Sequence, residues 1–233
     1  MSEIMRDIGK YLNAIRKSRK ENLEDVAKAI GKSISALSRY ENGQSQIDLK
    51  TLELLSRHYA VDLALGLSFP MTEENAAPKS NGGASTKLYL YYNDIKSQRE
   101  IVSFLSYKEG LKGEQLLMFY DLKNIDNLSS CRGIYTGSIS GNTIATQIQV
   151  ENLNLEGDKI FVILSPQKSP TGEQVGILSC SLEKADFAPM ATKCLLTNAP
   201  RKEPIGESVA NISSSEFRKL KKTNQLIIKQ STK

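Results

Sequence analysis

The chain has 233 residues and a mass of 25.8 kDa, a length that suits two ordinary domains of about 100 to 200 residues each. Its composition, with 39% hydrophobic and 24% charged residues, 15 Gly and 7 Pro, excludes collagen, disulfide-dense miniproteins and wholly disordered chains. The net charge of +5 is concentrated at the two ends: Arg6, Lys10, Arg16, Lys17, Arg19 and Lys20 stand against Glu3 and Asp7 in residues 1–20, and residues 201–233 carry eight Lys or Arg against three Glu. Basic ends on a near-neutral body suit an anionic partner.

No window approaches the roughly 18 to 20 apolar residues that span a bilayer, and the N-terminus lacks the apolar core of a secretory signal. A cytoplasmic protein with no membrane partner is therefore expected. His58 is the only histidine, which excludes HExxH metalloproteases and zinc deaminases. Cys131, Cys180 and Cys194 are far apart and form no CxxC pair, so they read as reduced, buried thiols rather than metal ligands or disulfides. No cofactor is expected.

In chain order, Ile8, Leu12 and Ile15 recur at helical spacing and predict a first helix from about Met5 to Arg19. Asn22 serves as N-cap of a short helix from Leu23 to Ile30, which Gly31 ends. Ser33 caps a third helix, Ile34 to Asn42, stopped by Gly43, and Asp48 caps a fourth that carries His58 at its surface or core edge. Two short helices joined by a tight Gly-containing turn make a helix-turn-helix. Leu12, Ile15, Val26, Ala27, Ile30, Leu37, Leu52 and Leu55 supply a small all-α core.

The stretch from Ile8 to Asp62 resembles the helix-turn-helix domain of phage-repressor and xenobiotic-response-element (XRE) regulators. Its landmarks are Ile15-Arg16, Val26-Ala27, Ile30-Gly31, the helix SISALSRYENG and the helix DLKTLELLSRHYAV. On the third helix Leu37 and Tyr40 face inward, leaving Ile34, Ser35, Ser38 and Arg39 outward to enter a major groove about 12 Å wide. The resemblance implies base contacts at Ile34, Ser35 and Arg39, and Ser38 on the same face completes the set. Arg39 suits guanine, Ser35 donates or accepts, and Ile34 packs on a thymine methyl. Phosphate contacts are expected from Asn22, Lys32, Ser33, Asn42 and Gln44. Where the family often has Gln at the start of the second helix and a basic residue after the Gly, this chain has Leu23 and Gln44. The resemblance also implies a structural ion pair between Arg16 and Glu41, tying the first helix to the reading helix.

Residues 70–87 (PMTEENAAPKSNGGASTK) have little to bury and predict a linker, separating a helix-turn-helix domain at 1–69 from a β-rich domain at 88–233. There, short β-branched or aromatic runs recur at 88–92, 115–120, 133–139, 143–150, 159–164, 174–180 and 191–196, as in a sandwich or barrel. A helix is expected near Ser97 to Tyr107, with Ile101, Phe104 and Leu105 on one side, and a basic amphipathic helix over Ser213 to Lys222 followed by the strand-like QLII. Gly133, Tyr135 and Gly137 alternate onto one face, which suits a close strand approach. Glu114, Asp121 and Asp158 read as solvated turn carboxylates, and Arg132 and Arg201 as candidate anion contacts.

The overall expectation is a multidomain α and β protein: a lambda-repressor-like bundle followed by a mainly-β domain with one or two helices. Its function is expected to be sequence-specific DNA-binding transcription regulation, as a repressor, by a homodimer on a palindromic operator. The β domain would supply dimerisation or sensing of a small-molecule or protein effector. The alternative is an antitoxin-like protein that autoregulates its promoter and binds a partner protein through the β domain. An enzyme is not expected: no nucleophile, base and orienting group can be placed together, and no Gly-Asp-Ser-Met stretch of a self-cleaving repressor occurs.

Overall fold

The computed structural model describes residues 3–61, 63, 86–94, 99–108, 115–166, 173–182, 188–203 and 212–223. Four helices come first: α1 (Glu3–Ser18), α2 (Leu23–Ala29), α3 (Ile34–Glu41) and α4 (Leu49–Tyr59). Three of them start as capping chemistry dictates. Asn22 Oδ1 accepts from the Asp25 amide at 2.8 Å, Ser33 Oγ from the Ala36 amide at 3.1 Å, and Asp48 Oδ1 from the Thr51 amide at 2.8 Å. Gly31, with φ of 65°, turns the chain from α2 toward α3. Leu12, Ile15, Val26, Leu37 and Leu55 are almost completely buried between the four helices.

The rest is a closed eight-stranded antiparallel barrel in which each strand pairs with the next and β1 with β8. Its strands are β1 (Thr86–Asp94), β2 (Arg99–Lys108), β3 (Gln115–Tyr120), β4 (Gly133–Gly141), β5 (Thr146–Asn152), β6 (Lys159–Leu164), β7 (Gln174–Leu182) and β8 (Ala188–Thr197). Register aligns Leu90 with Ser103, Leu105 with Met118, Val150 with Ile160 and Leu178 with Thr192. Alternate side chains therefore fill the interior, where Leu90, Leu105, Met118, Val150, Val162 and Leu178 leave a packed core. The wall is tight at Gly137: a β-carbon there would stand 1.9 Å from the Gln149 carbonyl oxygen, so this glycine serves close strand approach, whereas at Gly133 the nearest atom belongs to the Tyr135 ring at 3.2 Å.

Helix α1 does not stand apart from the barrel. Tyr11 meets Phe119 edge-on, ring centroids 6.5 Å apart. One apolar cluster runs from Leu12, Ile15 and Leu37 through Tyr89, Phe104, Phe119, Leu122 and Ile134 on the outer wall. The helical bundle and the barrel thus share a core.

This shared core explains the clearest correction to the sequence reading. The segment expected to be a helix near Ser97 to Tyr107 is strand β2, and the described part lies within Arg99–Lys108. Ile101 and Leu105 fill the barrel while Phe104 and Val102 face the helical cluster. Apolar residues on both faces of a doubly covered strand imitate helical spacing. Asp121 is corrected too: it is 3% exposed and paired with Arg99 at 2.6 Å, not a solvated turn carboxylate. Arg201 is committed to Glu173. The linker expectation falls mostly outside the described residues, as do Glu114 and QLII, but Thr86 and Lys87 already belong to β1.

The basic helix α5 (Ser214–Thr223) lies on the outer wall through Glu216, whose carboxylate meets the buried Lys193 Nζ of β8 at 3.2 Å. A closed barrel has no edge to cover, so the helix packs on a face instead. Cys131 and Cys194 are buried and Cys180 half-buried, all as free thiols. Burial pushes the first two up to about 12 and Cys180 up to about 11, which disfavours the thiolate. Among the described residues no helix is long and apolar enough to cross a membrane.

Candidate nucleic-acid interface

Helix α3 is eight residues long, about 12 Å at 1.5 Å per residue. Leu37 and Tyr40 turn into the bundle at 0% and 9% exposure. The opposite face is left to solvent: Ile34 is 47% exposed, Ser35 and Arg39 are exposed, and Ser38 is half-buried. The solvent side of the helix thus carries an exposed isoleucine and, five residues on, an exposed arginine. Both are suited to a base edge.

The inner side of α3 is fixed by charge. Arg16 Nε lies 2.6 Å from Glu41 Oε1, and its terminal nitrogen Nη2 lies 2.7 Å from Oε2. Both residues are under 10% exposed. Asn13 donates to the same carboxylate at 2.5 Å, and Arg16 Nη1 donates to the Glu21 carbonyl at 3.0 Å. Glu41 raises the guanidinium's pKa through this contact, so Arg16 stays charged. A planar fork on a planar carboxylate sets orientation as well as distance, which locks the roll of α3 relative to α1. The sequence reading lacked Asn13, although its place three residues before Arg16 on one helix face pointed to a shared partner. Gly9 was also missed: a β-carbon there would be 2.6 Å from the carbonyl oxygens of Tyr40 and Glu41, so only glycine lets α1 cross the end of α3 this closely.

The residues expected at phosphate divide into two groups. Asn22 uses Oδ1 on its own helix and keeps its amide nitrogen, so capping and phosphate donation are compatible. The Ser33 hydroxyl accepts from the Ala36 amide and touches the Ser35 hydroxyl at 3.1 Å. Gln44 is exposed. Asn42, in contrast, directs its amide nitrogen back to Ser38, 2.9 Å from the carbonyl and 3.4 Å from Oγ. In this geometry it closes α3 rather than offering a donor outward. Lys32 Nζ is 3.4 Å from Asp48 Oδ2, so a phosphate would draw it from that partner. Asp48 is held down to about 2 by the Thr51 hydroxyl and amide first and by Lys32 second. His58 bonds Glu21 at 2.7 Å at the core edge.

Residues 12–65 match the helix-turn-helix family model. No curated protein and no solved structure matches the chain. The N-terminal part of this multidomain α and β protein is therefore a helix-turn-helix domain of the XRE type, the DNA-binding module of a regulator.

Proposed function

We propose that the protein is a sequence-specific transcriptional regulator, a homodimer that reads a palindromic operator with α3 and uses its barrel for self-association and effector response. The observation that carries this reading is the split of α3: one face locked to α1 through Glu41 and Arg16, the other presenting Ile34, Ser35 and Arg39 to solvent. A reading helix needs this combination, because side chains reach base edges usefully only from a backbone whose roll is fixed. The reading makes the protein a regulator rather than an enzyme.

The dimer follows from the size of the reading face. A single two-turn helix contacts only a few base pairs, too few to single out a site among genomic competitors, and pairing two heads squares that discrimination. The outer wall of β5, β6 and β7 supports such pairing. Gln147, Gln149, Phe161, Ile163, Ile177 and Ser179 form an uncharged stretch of it, bordered by the Glu151–Lys159 ion pair at 3.4 Å, and Phe161 and Ile163 are 44% and 59% exposed. In a chain of net charge +5, a stretch whose bordering charges, Glu151 and Lys159, neutralise each other is where a second copy approaches with little repulsion.

Selection from random duplex DNA by the full-length protein, at two salt concentrations, tests the reading. A motif repeated about two-fold, with half-sites about 10 base pairs apart, is the expected result. Binding that loses all motif and vanishes with salt would leave only the basic surface and overturn it.

A further inference from the structure

At one end of the barrel, where the turn between α1 and α2 reaches the rim, lies a cavity of about 270 Å³. Its floor is apolar, made by Ile101 and Ile160, each nearly completely buried. Its wall is aromatic: Tyr92, Tyr120 and Tyr135 point inward from β1, β3 and β4. Tyr92 and Tyr120 join hydroxyls at 2.5 Å, and Tyr120 and Tyr135 meet edge-on at 5.5 Å. The rim carries both signs of charge, with Lys20 and Arg132 as cations and Asp94 and Asp158 as carboxylates.

The chemistry of the occupant follows from these groups. A volume just under the roughly 300 to 1,000 Å³ of drug-sized sites admits a small molecule only. An aromatic wall over an aliphatic floor takes a ring. Two cations balanced by two carboxylates argue against a phosphate or nucleotide, which would meet repulsion on one side, and for a dipolar molecule of no net charge. Asp158 is already aimed: Tyr135 donates to its Oδ2 at 2.7 Å and Asn152 at 2.8 Å, leaving Oδ1 to accept from an ammonium.

The cavity is also shared with the DNA-binding domain. Ser18 and Lys20, from the turn between α1 and α2, line it directly. Asn154, on the barrel rim, donates to Ser18 Oγ at 3.1 Å. Lys20 holds a left-handed φ of 59°, and two residues later Asn22 caps α2. A molecule seated here touches the turn that sets the start of the helix-turn-helix.

We propose that the barrel mouth is an effector site for an aromatic α-amino acid or a zwitterion of that shape. The ring packs among the three tyrosines, the ammonium meets Asp158, the carboxylate meets Arg132 and Lys20, and occupancy is transmitted to DNA through the α1–α2 turn. This deepens the regulator reading and rests on it for its last step only. Linkage then requires that the effector change operator affinity by the same factor by which operator changes effector affinity.

Calorimetric titration of the full-length protein without DNA, using L-phenylalanine and L-tyrosine as probes, tests the site independently of DNA recognition. Phenethylamine and 3-phenylpropionate, each lacking one charge, are the comparison arms. The expected result is saturable one-to-one binding of at least one amino acid, at least about ten-fold weaker binding of both comparison compounds, and a similar loss in Arg132→Ala, an exposed position whose truncation spares the core. No saturable binding of either amino acid, or equal binding by Arg132→Ala, would overturn the site. In a second step, DNA affinity with and without the amino acid should differ by about five-fold or more. An unchanged affinity in a protein that binds both partners would overturn the coupling, whereas loss of DNA recognition alone would strike the regulator reading and leave the site standing.

Discussion

Replacing Glu41 by Ala removes the acceptor of three donors at once: Nε and Nη2 of Arg16 and the Asn13 amide. The Arg16 side chain is 11% exposed, so water cannot take the place of the carboxylate without opening the bundle. Breaking a buried pair in this way costs about 3–5 kcal/mol. Arg16→Ala strands Glu41, whose side chain is 3% exposed, at a similar cost. The double variant Arg16→Ala/Glu41→Ala has no stranded charge and should fall well short of the sum of the two single losses, giving a coupling of at least about 2 kcal/mol. Arg57 and Glu53 supply the internal comparison. They form a 2.7 Å pair on α4 at 74% and 60% side-chain exposure, where coupling should be only about 0.3–0.5 kcal/mol. Urea unfolding followed by far-ultraviolet circular dichroism, which reports mainly the helices, measures all of these. Additive single and double variants at Arg16 and Glu41, or a coupling no larger than that of Arg57 and Glu53, would refute the claim that the buried pair fixes α3.

Gly9→Ala gains about 1 kcal/mol of helix propensity, but its β-carbon must displace backbone oxygens of α3 at 2.6 Å. A net loss of about 1–2 kcal/mol is expected, read by thermal unfolding; a stabilised variant would contradict the close crossing. Asp48 has a folded-state pKa of about 2 against an ordinary 3.8, so its contribution is present above pH about 4 and is lost as pH falls through 2. Asp48→Asn should keep the cap and flatten the acid end of the stability profile over that window, and an unaltered profile would remove Asp48 from it. Ile163→Glu places a charge in the uncharged stretch around Phe161 and Ile163 on the outer wall, and sedimentation should show a dimer becoming a monomer that binds operator more weakly. An undisturbed dimer would move the interface elsewhere.

Much of the helix-turn-helix was legible because its signals are local. Asn22, Ser33 and Asp48 each announce a helix start within three residues, and Leu37 with Tyr40 sets the face of α3. Strands β3 and β6 were equally plain, since their runs are short and bounded by turn residues. The β2 segment was not, because its residues are buried on two sides by elements distant in sequence: Leu105 by the barrel interior and Phe104 by the cluster that includes Tyr11. Local periodicity carries no mark of a second covering layer. Asp121 and Arg99 stand 22 positions apart, so their pairing depends on strand register. The barrel mouth was hidden for the same reason, its wall and rim being drawn from most strands and from the α1–α2 turn.

The central claim is that α3 reads bases, and Arg39 tests it most directly. Fluorescence anisotropy would compare binding of the wild type and Arg39→Ala to a selected duplex, to single-base variants of it, and to a scrambled duplex of equal length. Arg39 is exposed, so its removal leaves the fold intact. The reading predicts a loss of about 5- to 150-fold on the selected duplex, little change on the scrambled one, and relaxed preference at a single base position. Equal loss on every duplex would make Arg39 a phosphate contact, and no loss on any would place base recognition outside α3.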